Sequence, residues 1–229
     1  MRIVVTGTSR GIGLEFVRQY LARGDTVEAA ARNPAQAPAL LALQQAHPKT
    51  LRVHSCDVAD DASVAAFARA LGDDPVDVLI NNAGVLGGAR ALTELDPADL
   101  LRSYSVNAVG PVRVTRALLP LVLRSPVRKV VGISSGLGSI ADNTSGGYYG
   151  YRMSKAALNM FARSLAVDFR DQGLISVVIN PGWVQTDMGG PSAPTPVAES
   201  VGLMIALIDR LTQQDSGCFL HFRGSVFPW

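Results

Sequence analysis

The sequence has little of what several protein classes require. Its two cysteines, Cys56 and Cys218, are too few for a disulfide scaffold and fit a reducing compartment. Its three histidines show no metal-ligand spacing, so we predict no metal site. The net charge of +2 comes from scattered residues without a basic run, which argues against a nucleic-acid partner. The longest apolar stretches, such as Ala117 to Leu123, are far shorter than the roughly 20 residues of a membrane span.

The N-terminus enters an apolar strand within two residues, which leaves no room for a signal peptide, so we expect a cytoplasmic protein. Neither a repeat nor a linker divides the 229 residues, and we predict one domain over 1–229. Short apolar runs predict strands near 2–6, 26–31, 51–55, 76–81, 128–134, 174–179 and 217–221. Helices are predicted near 11–23, 35–46, 60–71, 98–123, 151–171 and 197–212. This alternation predicts a doubly wound α/β fold of the Rossmann type, with a parallel sheet of about seven strands and helices on both faces.

A glycine-rich turn follows the first predicted strand and leads directly into a helical pattern. Its spacing is Gly-x-x-x-Gly-x-Gly, within Thr6 to Gly13. Glycines let the backbone turn tightly and approach a pyrophosphate, and the helix N-terminus supplies free N–H groups. The turn therefore predicts a dinucleotide site that includes Gly7, Ser9, Arg10, Gly11, Ile12 and Gly13.

Polar clusters end three further predicted strands. They are Cys56-Asp57-Val58, Asn81-Asn82-Ala83-Gly84 and Ser134-Ser135. Each could be an ordinary turn. Because ligands bind beyond the carboxyl ends of strands in an open parallel sheet, the clusters together predict one site beside the glycine-rich turn.

Tyr151 and Lys155 are four residues apart in the run Tyr-Arg-Met-Ser-Lys, and so share one face of a predicted helix. A fixed positive charge beside a phenol favours the phenolate and lowers the phenol pKa from its usual value near 10. The pair therefore predicts a proton-transfer group suited to carbonyl–alcohol chemistry. Tyr148 and Tyr149 have no lysine four residues on.

The exit of the second strand favours NADP over NAD. An NAD site places an acid there for the ribose 2′-hydroxyl, but Glu28 lies too early in the strand. Arg32 follows the strand instead, and Arg10 in the glycine-rich turn can reach the same group. A guanidinium binds phosphate oxygens bidentately, so both arginines are predicted to contact a 2′-phosphate.

The chain resembles the short-chain dehydrogenase/reductase family over nearly its whole length. The motifs that carry the resemblance are Thr6-Gly7-x-x-x-Gly11-x-Gly13, Asp57, Asn81-Asn82-Ala83-Gly84, Asn107, Ser135, Tyr151-x-x-x-Lys155 and Pro181-Gly182. The stretches from Ser139 to Tyr149, from Pro181 to Met188 and from Gly217 to Trp229 look most like the Sniffer-like and C-signal-like carbonyl reductase branch.

The resemblance implies an NADPH-dependent carbonyl reductase. It implies that Tyr151 donates a proton to the carbonyl oxygen and that Lys155 holds the nicotinamide ribose and lowers the Tyr151 pKa. Ser135 would stabilise the substrate oxygen, and Asn107 would position a water that leads to Lys155. Ser135 and Tyr151 are sixteen residues apart, more than is usual in the family, and the extra residues are expected at the pocket rim.

The resemblance also assigns cofactor contacts and an assembly. Asp57 and Val58 would contact adenine, Asn82, Ala83 and Gly84 the adenosine ribose, and Pro181, Gly182, Val184 and Thr186 the carboxamide side of nicotinamide. Two predicted helices are apolar beyond the stripe that would face the sheet, which favours a homodimer in which these helices pair. The apolar residues are Leu100, Leu101, Val112 and Leu118 on the first helix, and Met153, Ala157, Met160, Phe161 and Leu165 on the second. The loops 136–150 and 187–197 would form the pocket walls.

Two alternatives remain open. The C-signal-like resemblance allows a nucleotide-binding signalling protein that needs no turnover, although such modules often lose the tyrosine or the lysine. Within enzymes, an oxoacyl or steroid reductase is an alternative to a general carbonyl reductase, because pocket residues lie in variable loops.

Overall fold

The computed structural model describes residues 1–88 and 91–229, which form a three-layer α/β structure around one sheet. The strands are β1 Arg2–Thr6, β2 Thr26–Ala31, β3 Leu51–Ser55, β4 Val78–Asn81, β5 Lys129–Ile133, β6 Ile175–Asn180 and β7 Phe219–His221. Their order across the sheet is β3-β2-β1-β4-β5-β6-β7, and every neighbouring pair is parallel. The predicted seven-stranded parallel sheet is confirmed.

Helices connect the strands and cover both faces. They are α1 Gly11–Ala22, α2 Pro38–Ala46, α3 Asp61–Ala70, α4 Pro97–Tyr104, α5 Gly110–Arg124, α6 Tyr149–Asp168 and α7 Val197–Arg210. Local sequence sets several of these ends. The Asp60 carboxylate accepts a hydrogen bond from the Ser63 N–H at the start of α3, and Asp96 does the same for Ala98 at α4, where Pro97 takes the first helical position.

Two apolar layers result from the alternation of side chains along each strand. On one face, Val5 packs in a cluster with Phe16 of α1 and Met204 of α7. On the other face, Val4 packs in a cluster with Phe67 of α3 and Leu118 of α5. This double covering explains why the strands are apolar on both faces.

The predicted helix over 98–123 is not continuous. A π-helical segment, Ser105–Val109, separates α4 from α5, and the Gly110 N–H donates to the Ser105 carbonyl five residues back. Pro111 accounts for the irregularity, because it has no N–H to donate to the Asn107 carbonyl four residues earlier. The segment leaves Asn107 fully buried beneath the carboxyl edge of the sheet.

The whole segment Pro97–Arg124, 28 residues long, has the length and composition of a membrane-crossing helix. This differs from the expectation that no stretch was long enough, because α4 and α5 join through the π-helical segment. Half of its most apolar 18-residue stretch is buried inside the protein, and Val114, Leu118 and Leu121 pack against the sheet. These contacts are those of a core helix.

The predicted second apolar faces are only partly correct. Leu118 and Leu165 are buried in the core beside the sheet rather than on an outer face. Leu101, Met153 and Met160 are exposed over 68%, 51% and 67% of their surface. An outward apolar surface therefore remains on α4 and α6, which contact each other.

Candidate active site

The sheet changes direction of winding between β1 and β4, and the crevice beyond the carboxyl ends of these strands is where ligands bind in such folds. Gly7 has a φ of +71°, and a Cβ there would lie 2.6 Å from Ala83 Cα. A Cβ on Gly13 would collide with the Gly7 carbonyl oxygen and the Asn82 side-chain amide. Glycine is therefore required at both positions for the turn to approach the end of β4.

Thr6 and Asn82 fasten the glycine-rich turn to the end of β4. The Thr6 hydroxyl accepts hydrogen bonds from the N–H groups of Asn82 and Ala83, each at 3.1 Å. Asn82 Nδ2 donates to the carbonyl oxygens of Thr6 at 2.9 Å and Gly7 at 3.1 Å. The Asn82 side chain thus shapes the crevice. Because Asn82 Nδ2 and the Asn82 N–H already donate to Thr6 and Gly7, a ribose could be contacted only by the oxygen atoms of Asn82.

The N-terminus of α1 has the properties of an anion site. Arg10 precedes the helix in an extended conformation, no side chain caps the first turn, and no acidic residue lies in it. The free N–H groups and the positive end of the helix dipole fit a pyrophosphate. Of the other predicted members of this turn, Ser9 is exposed and Ile12 is half-buried.

The exit of β2 presents a cation and no usable acid. Arg32 is exposed. Glu28 is fully buried, where it binds Arg2 at 2.9 Å and His54 at 2.7 Å. Arg10 pairs with Asp187 at 3.1 Å, and both side chains are largely exposed, so a 2′-phosphate would compete with Asp187 for this arginine.

Asp57 and Val58 lie beyond the end of β3. The Asp57 carboxylate accepts a hydrogen bond from the Ala59 N–H at 2.9 Å, and the Asp57 N–H donates to the Ser63 hydroxyl at 2.9 Å. Val58 is buried against Gly110, where a Cβ would lie 2.9 Å from a Val58 methyl group. These contacts hold the turn after β3 against the start of α5, where the resemblance predicts that Asp57 and Val58 contact adenine.

Tyr151 and Lys155 lie on α6 with both side chains buried. The Lys155 ammonium is 5.6 Å from the centroid of the Tyr151 ring and donates to the Ile133 carbonyl oxygen at 2.8 Å. Burial raises the pKa of Tyr151 to about 12, although a hydrogen bond with Ser135 lowers it. Burial lowers the pKa of Lys155 to about 8.

These shifts correct one expectation. We expected Lys155 to lower the Tyr151 pKa, but in this structure desolvation is the larger effect, and the Tyr151 pKa lies above its usual value. The phenol is therefore protonated at neutral pH, as a proton donor requires.

Ser135 lies two residues beyond the end of β5, and of the three candidate serines it is the one whose hydrogen bond lowers the Tyr151 pKa. Its hydroxyl also accepts a hydrogen bond from the Leu137 N–H at 3.2 Å. The other two candidates are used elsewhere: Ser134 donates to the Asn159 side-chain oxygen at 2.6 Å, and Ser139 donates to the Trp229 main-chain oxygen at 3.0 Å. Ser135 accordingly stays the predicted catalytic serine.

Asn107 joins three parts of the site. Its side chain accepts from the Val85 N–H and donates to the Val85 carbonyl, both at 2.8 Å, and donates to Ser154 at 2.9 Å. A Cβ on Gly84 would lie 3.3 Å from Asn107 Oδ1 and 3.5 Å from Lys155 Nζ. Because Pro111 cannot donate to the Asn107 carbonyl, that carbonyl can accept from a water.

The turn after β6 completes the crevice. The Gly182 N–H donates to the Asn180 side-chain oxygen at 3.0 Å, which stabilises the turn after Pro181. Val184 is buried and pairs with Thr195. The Thr186 methyl group lies 3.5 Å from where a Cβ on Gly11 would be. A cavity of about 240 Å³ lies between the glycine-rich turn and the turn after β6.

A second cavity, of about 320 Å³, lies beyond the end of β4. It is lined by Val85, Gly87, Gly88, Asp99, Arg102 and Ser103. It extends the crevice from Asn107 toward α4.

The structure also shows contributions that the motifs did not predict. Ser154 links Asn107 to the Tyr151 carbonyl, to which it donates at 2.8 Å. Its place inside Tyr-Arg-Met-Ser-Lys, one turn of helix after Tyr151, was an available signal. The contact between Ser139 and Trp229 spans 90 residues, and no local pattern predicts it.

Comparisons with known proteins agree with this geometry. The sequence pattern described as short chain dehydrogenase matches residues 1–196. The chain is 51% identical over 164 residues to C-signal of Myxococcus xanthus, which covers 72% of this chain and 99% of that protein. It is similar to the structure of carbonyl reductase Sniffer of D. melanogaster, with a TM-score of 0.95, 33% identity and coverage of 100% and 99%. It is also similar to NADPH-bound carbonyl reductase from chicken fatty liver, with a TM-score of 0.94, 35% identity and coverage of 100% and 98%.

Proposed function

The chain belongs to the short-chain dehydrogenase family, and from that premise we propose that it reduces an aldehyde or ketone to an alcohol with Tyr151 as the proton donor. Its similarity to C-signal and to Sniffer confirms the branch expected from the motifs. The observation that carries the proposal is that Tyr151 and Lys155 lie buried side by side on α6 at the carboxyl edge of the sheet, with Ser135 on the loop that follows β5.

NADP(H) is the cofactor, as in NADP-bound structural relatives. When bound, it supplies the hydride that reduces the carbonyl carbon. The residues described above fit it: Gly7 and Gly13 would allow close approach, the uncapped N-terminus of α1 would bind the pyrophosphate, and the exposed Arg32 would bind the 2′-phosphate.

The side chains divide the remaining work. Tyr151 gives its phenolic proton to the carbonyl oxygen, and Ser135 donates a hydrogen bond to the same oxygen as negative charge develops there. Lys155 would hold the nicotinamide ribose, and its positive charge would favour the phenolate once the proton has left. The Asn107 carbonyl, to which Pro111 has no N–H to donate, would hold a water that returns a proton toward Lys155.

The direct test follows NADPH oxidation at 340 nm with a panel of aldehydes, diketones, quinones and oxoacyl esters. We expect turnover with members of the aldehyde or ketone classes and its loss in Tyr151→Phe. Turnover confined to oxoacyl esters, or to steroid ketones added to the panel, would assign the enzyme to those narrower classes instead.

A signalling role without turnover is the second candidate, and the 51% identity to C-signal favours it. The assembled Asn107, Ser135, Tyr151 and Lys155 favour the enzyme. The two differ in one measurement: a signalling protein of this kind binds NADPH, with a tight dissociation constant by fluorescence, yet oxidises none of it across the panel.

We also propose a cytoplasmic homodimer that acts on a small molecule and binds neither membrane nor nucleic acid. The exposed apolar side chains of Leu101, Met153 and Met160 on α4 and α6 support the pairing of these helices between two copies. Light scattering that shows only a 24 kDa species at micromolar concentration would contradict the dimer.

A further inference from the structure

The last residues of the chain fold back along the free edge of β7. The Gly224 N–H donates to the His221 carbonyl at 2.7 Å and closes the turn. The His221 N–H then donates to the Ser225 carbonyl at 2.8 Å, and the Phe227 N–H to the Phe219 carbonyl at 2.7 Å. This antiparallel return, residues 222–229, is called the C-terminal segment here.

The C-terminal segment ends on the loop that follows the catalytic Ser135. The main-chain oxygen of Trp229 accepts three hydrogen bonds, from the Ile140 N–H at 2.9 Å, the Ala141 N–H at 2.8 Å and the Ser139 hydroxyl at 3.0 Å. Ser139 is buried, and its hydroxyl also accepts from the Asp142 N–H at 3.0 Å. Four consecutive residues of the loop are therefore tied to one atom, directly or through Ser139.

Aromatic packing holds that oxygen in place and extends the contact toward Ser135. Phe219 lies 5.0 Å from Phe227 and 5.6 Å from Trp229, measured between ring centroids. A Cβ on Gly136, the residue after Ser135, would lie 3.4 Å from the tip of the Phe227 ring. The Phe227 ring is thus a wall behind the backbone that carries the catalytic serine.

The same segment supports the turn after β6. The Phe222 N–H donates to the Asn180 carbonyl at 2.9 Å. The Phe222 ring is buried against Gly182, where a Cβ would lie 2.8 Å from the ring edge. Both loops on which the proposed reaction depends, after β5 and after β6, therefore rest on residues 222–229.

We infer that Phe227 and Trp229 are positioning residues for carbonyl binding: they fix the loop from Gly136 to Ala141 and so set the substrate pocket beside Ser135. The inference rests on the proposed function for its kinetic consequence. Neither residue touches the proton donor Tyr151 in the contacts described above, so their removal should loosen the pocket without removing the chemistry.

The kinetic test compares Trp229→Ala and Phe227→Ala with Val226→Ala. Val226 lies in the same segment but is 73% exposed, which makes it the matched control. Trp229→Ala and Phe227→Ala both keep the main-chain oxygen of Trp229 but remove a ring that packs on Phe219 and holds that oxygen in place. If one or two loop hydrogen bonds are weakened as a result, KM for the carbonyl substrate should rise about tenfold. We expect kcat and the NADPH dissociation constant to change less than about twofold, and Trp229→Phe, which keeps a ring for Phe219, to recover most of the KM.

A second measurement does not depend on activity. Hydrogen exchange should be slow at the Ile140 and Ala141 amides in the native chain and in Val226→Ala, and faster in Trp229→Ala and in a chain that ends at Phe227. Thermal unfolding of each variant shows whether the rest of the fold is intact.

The outcomes separate the two proposals. Faster exchange in the variants, together with a wild type that reduces no carbonyl, would overturn the proposed reaction and still support the anchoring of the loop by Phe227 and Trp229. Unchanged exchange and unchanged KM in an active Trp229→Ala enzyme would overturn the positioning role alone. A uniform loss of kcat and of NADPH binding would also overturn it, since that pattern marks general damage.

Discussion

Two buried lysines lie at opposite edges of the sheet, and their surroundings differ in kind. Lys129, at the start of β5, donates to the Ile208 and Asp209 carbonyl oxygens in the last turn of α7, at 2.7 and 2.9 Å. Burial lowers its pKa overall, although the Asp209 and Asp215 carboxylates act in the opposite direction. Lys155 donates to one carbonyl, and burial alone lowers its pKa to about 8. Lys129 thus has two carbonyl acceptors and two nearby carboxylates, whereas Lys155 has one carbonyl acceptor and no carboxylate that raises its pKa.

The same contrast extends along both edges. At the amino edge, charges meet opposite charges: the N-terminal ammonium pairs with Asp25 at 2.7 Å, and Arg2 with Glu28 at 2.9 Å. At the carboxyl edge, the buried polar groups are held mainly by backbone atoms and amides, as for Asn107 and Asn82. Ion pairing suits an edge that only has to be stable, whereas a reacting edge needs groups whose charge can change.

The largest expected effect tests the reacting edge. Tyr151→Phe keeps the ring but removes the proton donor, so turnover should fall by about 10² to 10⁴. NADPH binding, measured by fluorescence titration, should change little. Tyr20→Phe is the matched control: it removes the hydroxyl of a tyrosine on α1 that is buried in the core with α7, and it should keep full turnover. Carbonyl reduction near the wild-type rate in Tyr151→Phe would remove Tyr151 from its role.

The next effect concerns cofactor choice at the same edge. In the double variant Ala31→Asp with Arg32→Ala, a carboxylate would repel the 2′-phosphate and accept from a 2′-hydroxyl. One lost charge-assisted contact corresponds to a shift of about ten- to a hundredfold in kcat/KM from NADPH toward NADH. Arg116→Ala removes an exposed arginine on α5 and should leave the ratio unchanged. If the double variant also kept the wild-type ratio, Arg32 would not contact the phosphate.

Exchanging each lysine for methionine sharpens the comparison directly. Lys129→Met removes two charge-assisted hydrogen bonds to the end of α7, so the free energy of unfolding should fall by about 1.5–3 kcal/mol while kcat stays constant. Lys155→Met should lower kcat and spare or raise stability, because it removes a buried charge without a carboxylate partner. Urea unfolding and steady-state kinetics on both variants measure this. The reverse pattern would refute the division between the two edges.

The smallest effect is the dependence of stability on pH. The folded pKa of Lys155, about 8, lies below its unfolded value of about 10.4. Between these values the unfolded chain binds more protons, so this lysine makes the free energy of unfolding rise with pH. Above about pH 10 the raised pKa of Tyr151 acts in the opposite direction. Denaturant titrations from pH 7 to 9.5 should show a smaller rise in Lys155→Met than in the wild type, and equal slopes would contradict the burial of a charged Lys155.

Local motifs were enough to predict the sheet, the glycine-rich turn and the pairing of Tyr151 with Lys155. Each depends on spacing within one strand or one helix, and glycine or helical periodicity leaves a clear mark there. The sequence does not show the break at Ser105–Val109, although Pro111 is visible, because the apolar pattern continues on both sides of Pro111 and an interior proline can kink a helix without ending it.

Long-range contacts account for most of what the sequence did not show. The raised Tyr151 pKa depends on how completely neighbouring elements bury the phenol, and a lysine four residues away indicated the opposite sign. Leu118 was placed on an outer face, yet it is buried, because a helix pattern gives the apolar stripe without saying which side meets the sheet. The contact of Trp229 with Ser139 joins residues with no shared pattern.

The hydrogen bonds of Trp229 also have a consequence in time. Ser135, Tyr151 and Lys155 are synthesised before Trp229. The nascent chain therefore carries these proposed reacting groups before the Trp229 oxygen can accept hydrogen bonds from the loop. The loop from Ser139 to Ala141 must wait for a partner 90 residues downstream. During synthesis the growing chain can therefore fold around its nucleotide crevice first, and a defined substrate pocket becomes available only after Trp229 has been added and has reached Ser139.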